Sequence, residues 1–316
     1  MCQLNKKQIF DHYNQGVQHS INTIFASIPT QNNEGCESPV LQMTSFLNPY
    51  DEDVERFLTF NKDNFTILSL NTDSLHAKHA ELNIFVEHLL GKNLYFDVLC
   101  FQEARINEHT NCDPLNLPKY DLVTSPYCAS KKGGLAMYIH ESFFYNERNL
   151  YKKSRHWEAQ FVDIYGPSIP NKVTIGNIYR PPRDNNDIHS IESFISEFKP
   201  CLTQLRREDA YSILCGDYNI NLLKLNRDQG VTNLFEYLYE ADFSPQITLP
   251  TRFAKRSCSL IDNILVNPPS TAGILDGTKI NTHVFLKRFG LADHQPCLMG
   301  IDVDMKKIHP PKFIFT

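Results

Sequence analysis

The 316-residue sequence has no C-x-x-C pair, no G-x-x-x-x-G-K-[ST] or G-x-G-x-x-G loop, and no run approaching about 18 apolar residues. Its nine cysteines are odd in number and scattered, which argues against a disulfide framework. Cys100 and Cys215 sit in apolar runs as small buried hydrophobes, reduced rather than ligating or nucleophilic. The missing glycine loops exclude the two common nucleotide-cradling devices, and the missing apolar run excludes a membrane-spanning helix. The start, MCQLNKKQIF, lacks the apolar core of a secretory signal, so the expected address is intracellular. Glycine is scarce at 13 and no repeat is visible, which disfavours a solenoid or propeller. An excess of positive charge is also missing: 31 Lys and Arg against 36 Asp and Glu give a net charge of -5. That balance argues against gripping nucleic acid by bulk charge, but is compatible with carboxylates that hold a metal.

What is present is a globular composition, 41% hydrophobic and 21% charged, long enough for two small domains or one large one. Charge is unevenly placed. Residues 1–60 carry three basic and seven acidic side chains, leaving only -1 for the remaining 256 residues. The stretch around Ser27–Gly35 is polar and broken by Pro29 and Gly35, as in a flexible leader. We place the domain boundary near Asn61, with an acidic extension over 1–60, one domain over 61–305 and a tail over 306–316.

The domain alternates short apolar runs with amphipathic segments. Strands are expected at Phe65–Leu70, Asp97–Phe101, Leu135–Ile139, Phe161–Ile164, Val173–Tyr179, Tyr211–Cys215, Leu260–Val266 and Pro296–Val303. Helices are expected at about 78–90, 188–205 and 231–241, where apolar residues recur at helical spacing. Many strands with few helices predict a mixed-sheet α/β or α+β sandwich.

Several of these strands end in carboxylates or amides. Leu70 is followed by Asn71-Thr72-Asp73, Phe101 by Gln102-Glu103, and Cys215 by Gly216-Asp217-Tyr218-Asn219. On an extended segment Asp217 and Asn219 point the same way and Tyr218 the other. Any one of these could be a cap or turn residue. Asp262 is different, because it lies in the apolar run Leu260–Val266, where an unpaired carboxylate costs several kcal/mol. Asp293-His294 stands just before the final strand. Hard oxygen donors gathered at strand ends are what Mg²⁺ or Mn²⁺ requires.

Taken in order, Asn71, Phe101-Gln102-Glu103, Gly133-Gly134 with its following strand, Tyr179-Arg180-Pro181-Pro182, Gly216-Asp217-Tyr218-Asn219, Pro250-Thr251-Arg252, Ser259-Leu260-Ile261-Asp262 and Asp293-His294 resemble the endonuclease/exonuclease/phosphatase superfamily. They look most like its branch in LINE-type (non-LTR) retrotransposons, whose domain is similar to abasic endonucleases. The resemblance covers about 65–303. It implies a four-layer α/β sandwich of two packed, mainly antiparallel sheets with helices outside, and a Mg²⁺-dependent (or Mn²⁺-dependent) endonuclease that nicks DNA, with a nuclear address. Residue by residue it implies Glu103, Asn71 and Asp293 near the metal and Asp217 orienting the attacking water. Asn219 and Tyr179 then face the phosphate, and His294 is the catalytic histidine oriented by Asp262. Arg180, Thr251 and Arg252 are the expected DNA contacts, with Arg183, Lys255, Arg256, Lys152, Lys153 and Arg155 as further basic residues. Ala292 stands where the branch usually has Ser, and the given sequence carries no reverse-transcriptase segment, so an isolated or truncated module is expected. A phosphomonoesterase of the same superfamily and an inactive relic are the alternatives.

Overall fold

In the computed structural model the described residues are 52–127, 132–150, 154, 156–166, 169, 172–182, 190–254, 257–269, 280–284 and 294–303. Most of the acidic extension, the C-terminal tail, Arg183, Lys152, Lys153, Arg155, Lys255, Arg256, Ala292 and Asp293 lie outside them.

Strand β1 (Phe65–Asn71) shows how these runs build a sheet. All seven of its residues are buried, because both of its faces are covered. Phe65 and Ile67 enter the larger core, whereas Leu68 and Leu70 enter a smaller one on the opposite face. After β1 comes helix α2 (Leu75–Gly91), preceded in the chain by α1 (Glu52–Phe60), and then β2 (Val98–Gln102). The strands β3 (Tyr120–Ser125), β4 (Leu135–His140), β13 (Ile280–Val284) and β14 (Cys297–Ile301) complete a six-stranded sheet of order β13-β14-β1-β2-β4-β3. The second sheet has the order β5-β6-β7-β8-β12-β9. It is formed by β5 (Phe144–Arg148), β6 (Glu158–Tyr165), β7 (Val173–Tyr179), β8 (Tyr211–Asp217), β9 (Ser244–Pro245) and β12 (Asp262–Asn267). A short ribbon, β10 (Arg252–Ala254) with β11 (Ser257–Ser259), stands apart.

In each sheet one pair is parallel, β1 with β2 and β7 with β8, and the other described pairings are antiparallel. A parallel neighbour needs a crossover, which α2 provides in the first sheet and α3 (Ser190–Arg207) in the second. The inner faces meet through β1, β2 and β4 against β7 and β8. Helices α1 and α2 cover the smaller core, while α3 and α4 (Gln229–Glu240) contribute Phe194, Phe198, Leu202, Leu234 and Phe235 to the larger one. The architecture is therefore the expected α/β sandwich of two mixed sheets with outer helices. No helix among the described residues is long and apolar enough to cross a membrane.

Differences from the sequence expectations have physical causes. Residues 52–60, assigned to the extension, form α1. Its Val54, Phe57 and Leu58 are buried in the smaller core, and the acidic Glu52, Asp53 and Glu55 complement its N-terminal dipole. Helix α2 begins earlier than expected because Ser74 caps it through its hydroxyl, which accepts from Ala77 N–H. Strand β6 starts at Glu158 rather than Phe161. The unforeseen β5 lies at a sheet edge and is largely exposed, so it lacks an apolar run; its Phe144 is 74% exposed.

Candidate functional site

Strands β1 and β2 run parallel and end at Asn71 and Gln102, and β7 and β8 run parallel and end at Tyr179 and Asp217. Their antiparallel neighbours β12 and β14 begin at the same pole, with Asp262 opposite Asp217 and His294 just ahead of Cys297. The topology thus collects at one end of the sandwich six polar side chains that are far apart in sequence. Close approach of β7 and β8 needs Gly216, where a Cβ would lie 2.0 Å from the Ile178 carbonyl oxygen.

Asn71 bridges the two sheets at the site. Its Nδ2 donates to Glu103 Oε1 at 2.9 Å and to Asp217 Oδ2 at 2.9 Å, while its Oδ1 accepts from Asp73 N–H at 3.1 Å. Glu103 Oε1 also accepts from the Tyr179 hydroxyl at 3.1 Å. Burial first, and then the charges of Glu103 and Asp217, push the Tyr179 phenol up, so it stays protonated and donates. Glu103 itself has φ 48, a left-handed conformation that a non-glycine residue adopts only when held there.

Asp217 is fully buried. Its Oδ2 accepts from Asn219 Nδ2 at 3.0 Å, and its Oδ1 accepts from Asn219 N–H at 2.9 Å. The Asp217–Asn219 pair expected from the sequence therefore meets, but through a turn with Asn219 at φ 47 rather than along a strand. Tyr218 points away into the core. Burial and the neighbouring charge of Asp262 push Asp217 from its ordinary value near 3.8 up to about 7, against the opposing effects of His294, Asn71 and Asn219.

His294 Nδ1 lies 3.0 Å from each carboxylate oxygen of Asp262, and its Nε2 lies 3.9 Å from Asp217 Oδ2. Asp262 is in turn set by Thr251, whose hydroxyl accepts from the backbone N–H of Ile261 and of Asp262 at 3.2 and 3.1 Å. Asp217, Asp262 and His294 present ligand atoms within 4.8 Å of one another. Two buried carboxylates face to face, with Glu103 tied to the same amide, form a donor set rich in hard oxygen that a divalent cation would neutralise. The residues present fit such an ion.

Two of the expected DNA contacts are placed otherwise. Arg180 is 2% exposed; its guanidinium donates to the carbonyls of Tyr218 and Asn219 at 3.4 and 3.3 Å and lies over the Phe194 ring. The correction is that Arg180 braces the Asp217–Asn219 turn from inside, where it cannot reach a DNA phosphate. Thr251 is likewise fully buried and serves Asp262. Arg252 is partly exposed and bridges to His294 through its backbone, so it stays at the rim.

Sequence reasoning missed the amide pair beneath the site. Gln102 Nε2 donates to Asn177 Oδ1 at 2.7 Å across the sheets, and Asn177 Nδ2 donates to the carbonyls of Phe101 and Ala136 at 3.1 and 3.0 Å. It also missed Glu158, a carboxylate that is 2% exposed and pairs in register with Tyr179. The signal was weak, since Gln160 and Asp163 interrupt the segment that follows Glu158, whereas Asp262 lies within a run that is largely apolar.

These features define a class of protein, an α/β sandwich with an acidic, histidine-containing site at one pole. The chain belongs to the Endonuclease/Exonuclease/phosphatase family, whose model matches residues 68–278, about two thirds of the sequence. A comparison with curated protein sequences finds no match. Among solved structures, the chain is similar to the AP endonuclease LMAP from Leishmania major, at 14% identity and TM-score 0.60, over 88% of this chain and 97% of that one. It also resembles the endonuclease domain of TRAS1, a telomere-specific non-LTR retrotransposon, at 16% identity and TM-score 0.54, over 76% and 99%. A third is the 3' phosphatase NExo from Neisseria bound to a product DNA hairpin, at 18% identity and TM-score 0.54, over 75% and 99%. At these identities the likeness is one of fold.

Proposed function

We propose that the chain is a divalent-metal-dependent endonuclease that nicks DNA by hydrolysing phosphodiester bonds, in the manner of non-LTR retrotransposon endonucleases. The observation that carries this reading is the single hydrogen-bonded cluster that joins Glu103, Tyr179 and Asn71 to Asp217 and Asn219, with the Asp262–His294 pair facing Asp217.

In-line hydrolysis forms one P–O bond from water and breaks one to the leaving oxygen, which takes up a proton. Negative charge grows on the non-bridging and leaving oxygens as this happens. Glu103 with Asn71 would hold Mg²⁺ (or Mn²⁺), with Asp293, outside the described residues, as the further expected ligand; the ion would supply Lewis-acid stabilisation of that charge. Asp217 accepts the proton of the attacking water, and its raised proton affinity suits a base working near neutral pH. Asn219 holds Asp217 through two hydrogen bonds and anchors it to the Arg180 carbonyl, to which its Nδ2 also donates at 2.8 Å. His294, its Nδ1 fixed by Asp262, presents Nε2 to the site. Tyr179 keeps its proton and orients Glu103. Among the described residues, Arg252 stands at the rim as a candidate phosphate contact. A DNA target of this kind would put the protein in the nucleus.

Phosphate release from small monoesters, measured beside nicking of a supercoiled plasmid, tests the substrate class. Mg²⁺-dependent nicking without monoester turnover is the expected result. Monoester turnover without nicking would move the assignment to a phosphatase.

A further inference from the structure

We infer that Glu158 is the positioning residue that holds Glu103 in its left-handed turn and thereby sets the site's affinity for a divalent cation. The inference deepens the proposed function, since it rests on Glu103 being the cation-holding carboxylate. Among the described contacts, Glu158 reaches the Glu103 turn through the Gly133-Gly134 segment.

The chain of contacts is short. Glu158 Oε2 accepts from the Gly134 backbone N–H at 2.7 Å. The carbonyls of the same two glycines face the metal turn: Ala104 N–H donates to Gly134 O at 2.9 Å and Arg105 N–H to Gly133 O at 2.8 Å. Those two amides follow Glu103 directly. On the other side of the turn, Ser74 N–H donates to Glu103 O at 2.8 Å. Asp73, Ser74, Glu103 and Arg105 all have positive φ, at 44, 106, 48 and 56°, so four non-glycine residues are held in a region that L side chains avoid. Such a cluster persists only where its surroundings over-determine it. The glycine segment is one of its anchors, beside the Arg105–Asp73 ion pair and the Leu75 N–H on the Ala104 carbonyl, and Glu158 is a side chain that fixes that segment.

The glycines are themselves shaped by this contact. A Cβ on Gly133 would lie 2.4 Å from Glu158 Oε1, and Gly134, at φ 85, packs so close to the Ile106 backbone that a Cβ would lie 2.7 Å from its nitrogen. Both positions leave room only for hydrogen, so the carboxylate can cover the peptide and take its N–H. Glu158 also stands in register beside Tyr179, whose hydroxyl donates to Glu103 Oε1. One buried carboxylate therefore sits behind both the turn that carries Glu103 and the strand that carries its hydrogen-bond donor.

Mn²⁺ binding by the full chain, followed by the electron paramagnetic resonance signal of the free ion, tests the inference without relying on activity. Removing a partner that orients a ligand typically weakens metal affinity by about 10–100-fold, and that loss is expected for E158A. E158Q keeps an oxygen that can accept from Gly134 and is expected to bind within a few-fold of wild type. G133A, which pushes a methyl group into the Glu158 carboxylate, is expected to weaken binding as E158A does, and it decides the matter should E158A fail to fold. Wild-type affinity in folded E158A, or E158Q binding as weakly as E158A, would overturn the inference. Absence of Mn²⁺ binding by wild type would instead sink the metal-site reading itself, and this inference with it.

Discussion

Replacing Asp217 by Asn should make the metal-free protein more stable at pH 8 while abolishing its activity. In the folded chain Asp217 keeps its proton up to about 7, whereas in the unfolded chain it releases it near 3.8. Between those values the folded state binds the extra proton, so wild-type stability is fully present at low pH and falls as pH rises towards 7. A displacement of roughly three units corresponds to about 4 kcal/mol. Asn cannot reproduce every contact. Its oxygen can replace Oδ2 and accept from Asn71 and Asn219 side chains, but its amide nitrogen then meets the Asn219 N–H that Oδ1 now accepts. That loss costs about 1 kcal/mol. D217N should therefore be about 1 kcal/mol less stable than wild type at pH 4 and about 3 kcal/mol more stable at pH 8. Urea denaturation in EDTA at the two pH values measures this directly. Parallel pH profiles for the two proteins, or a less stable D217N at pH 8, would refute the reasoning. Added Mg²⁺ should narrow the gap at pH 8, because the charge of an ion held beside Glu103 favours the ionised Asp217 carboxylate and does nothing comparable for a neutral amide.

Three further substitutions separate function from scaffold. Y179F removes the hydroxyl that donates to Glu103, and should lower the single-turnover cleavage rate by about 10–100-fold while changing stability by less than about 1 kcal/mol. R180A should cost about 3–5 kcal/mol in chemical denaturation, through loss of buried packing and of the guanidinium that donates to the Tyr218 and Asn219 carbonyls. A folded R180M variant, which removes the charge, should show an unchanged salt slope of DNA affinity, since Arg180 faces no phosphate. T251V strands two backbone amides and should destabilise by about 1–3 kcal/mol, whereas T251S, which keeps the oxygen, should lose less than half as much in the same assay.

What could be read from the sequence follows from where each feature's cause lies. The central strands are legible because burial on both faces writes an unbroken apolar run, as in Phe65–Leu70. The polar residues that end them stand out against those runs, which is why Asn71, Glu103, Asp217, Asn219 and Asp262 could be named before any geometry was known. Edge strand β5 is set by pairing with β6 rather than by burial, so its pattern carries no such mark. Helix α1 was hidden because its acidic first turn reads as a polar leader until Val54, Phe57 and Leu58 are seen to pack. Arg180 illustrates a different limit. A cation beside a site motif looks like a phosphate contact, and only the tertiary structure shows its guanidinium turned inward onto backbone carbonyls and Phe194.

The central claim is that Glu103 from the first sheet and His294 beside the second act in one metal-dependent site. Nicking of supercoiled plasmid with Mg²⁺, with and without EDTA, by wild type, E103A, H294A and the double variant tests it. Groups that act as a unit lose activity together, so each single substitution should reduce the rate by about 10³-fold or more and the double variant by little beyond that. Nicking that survives EDTA, or single losses that are small and simply multiply in the double variant, would contradict the account.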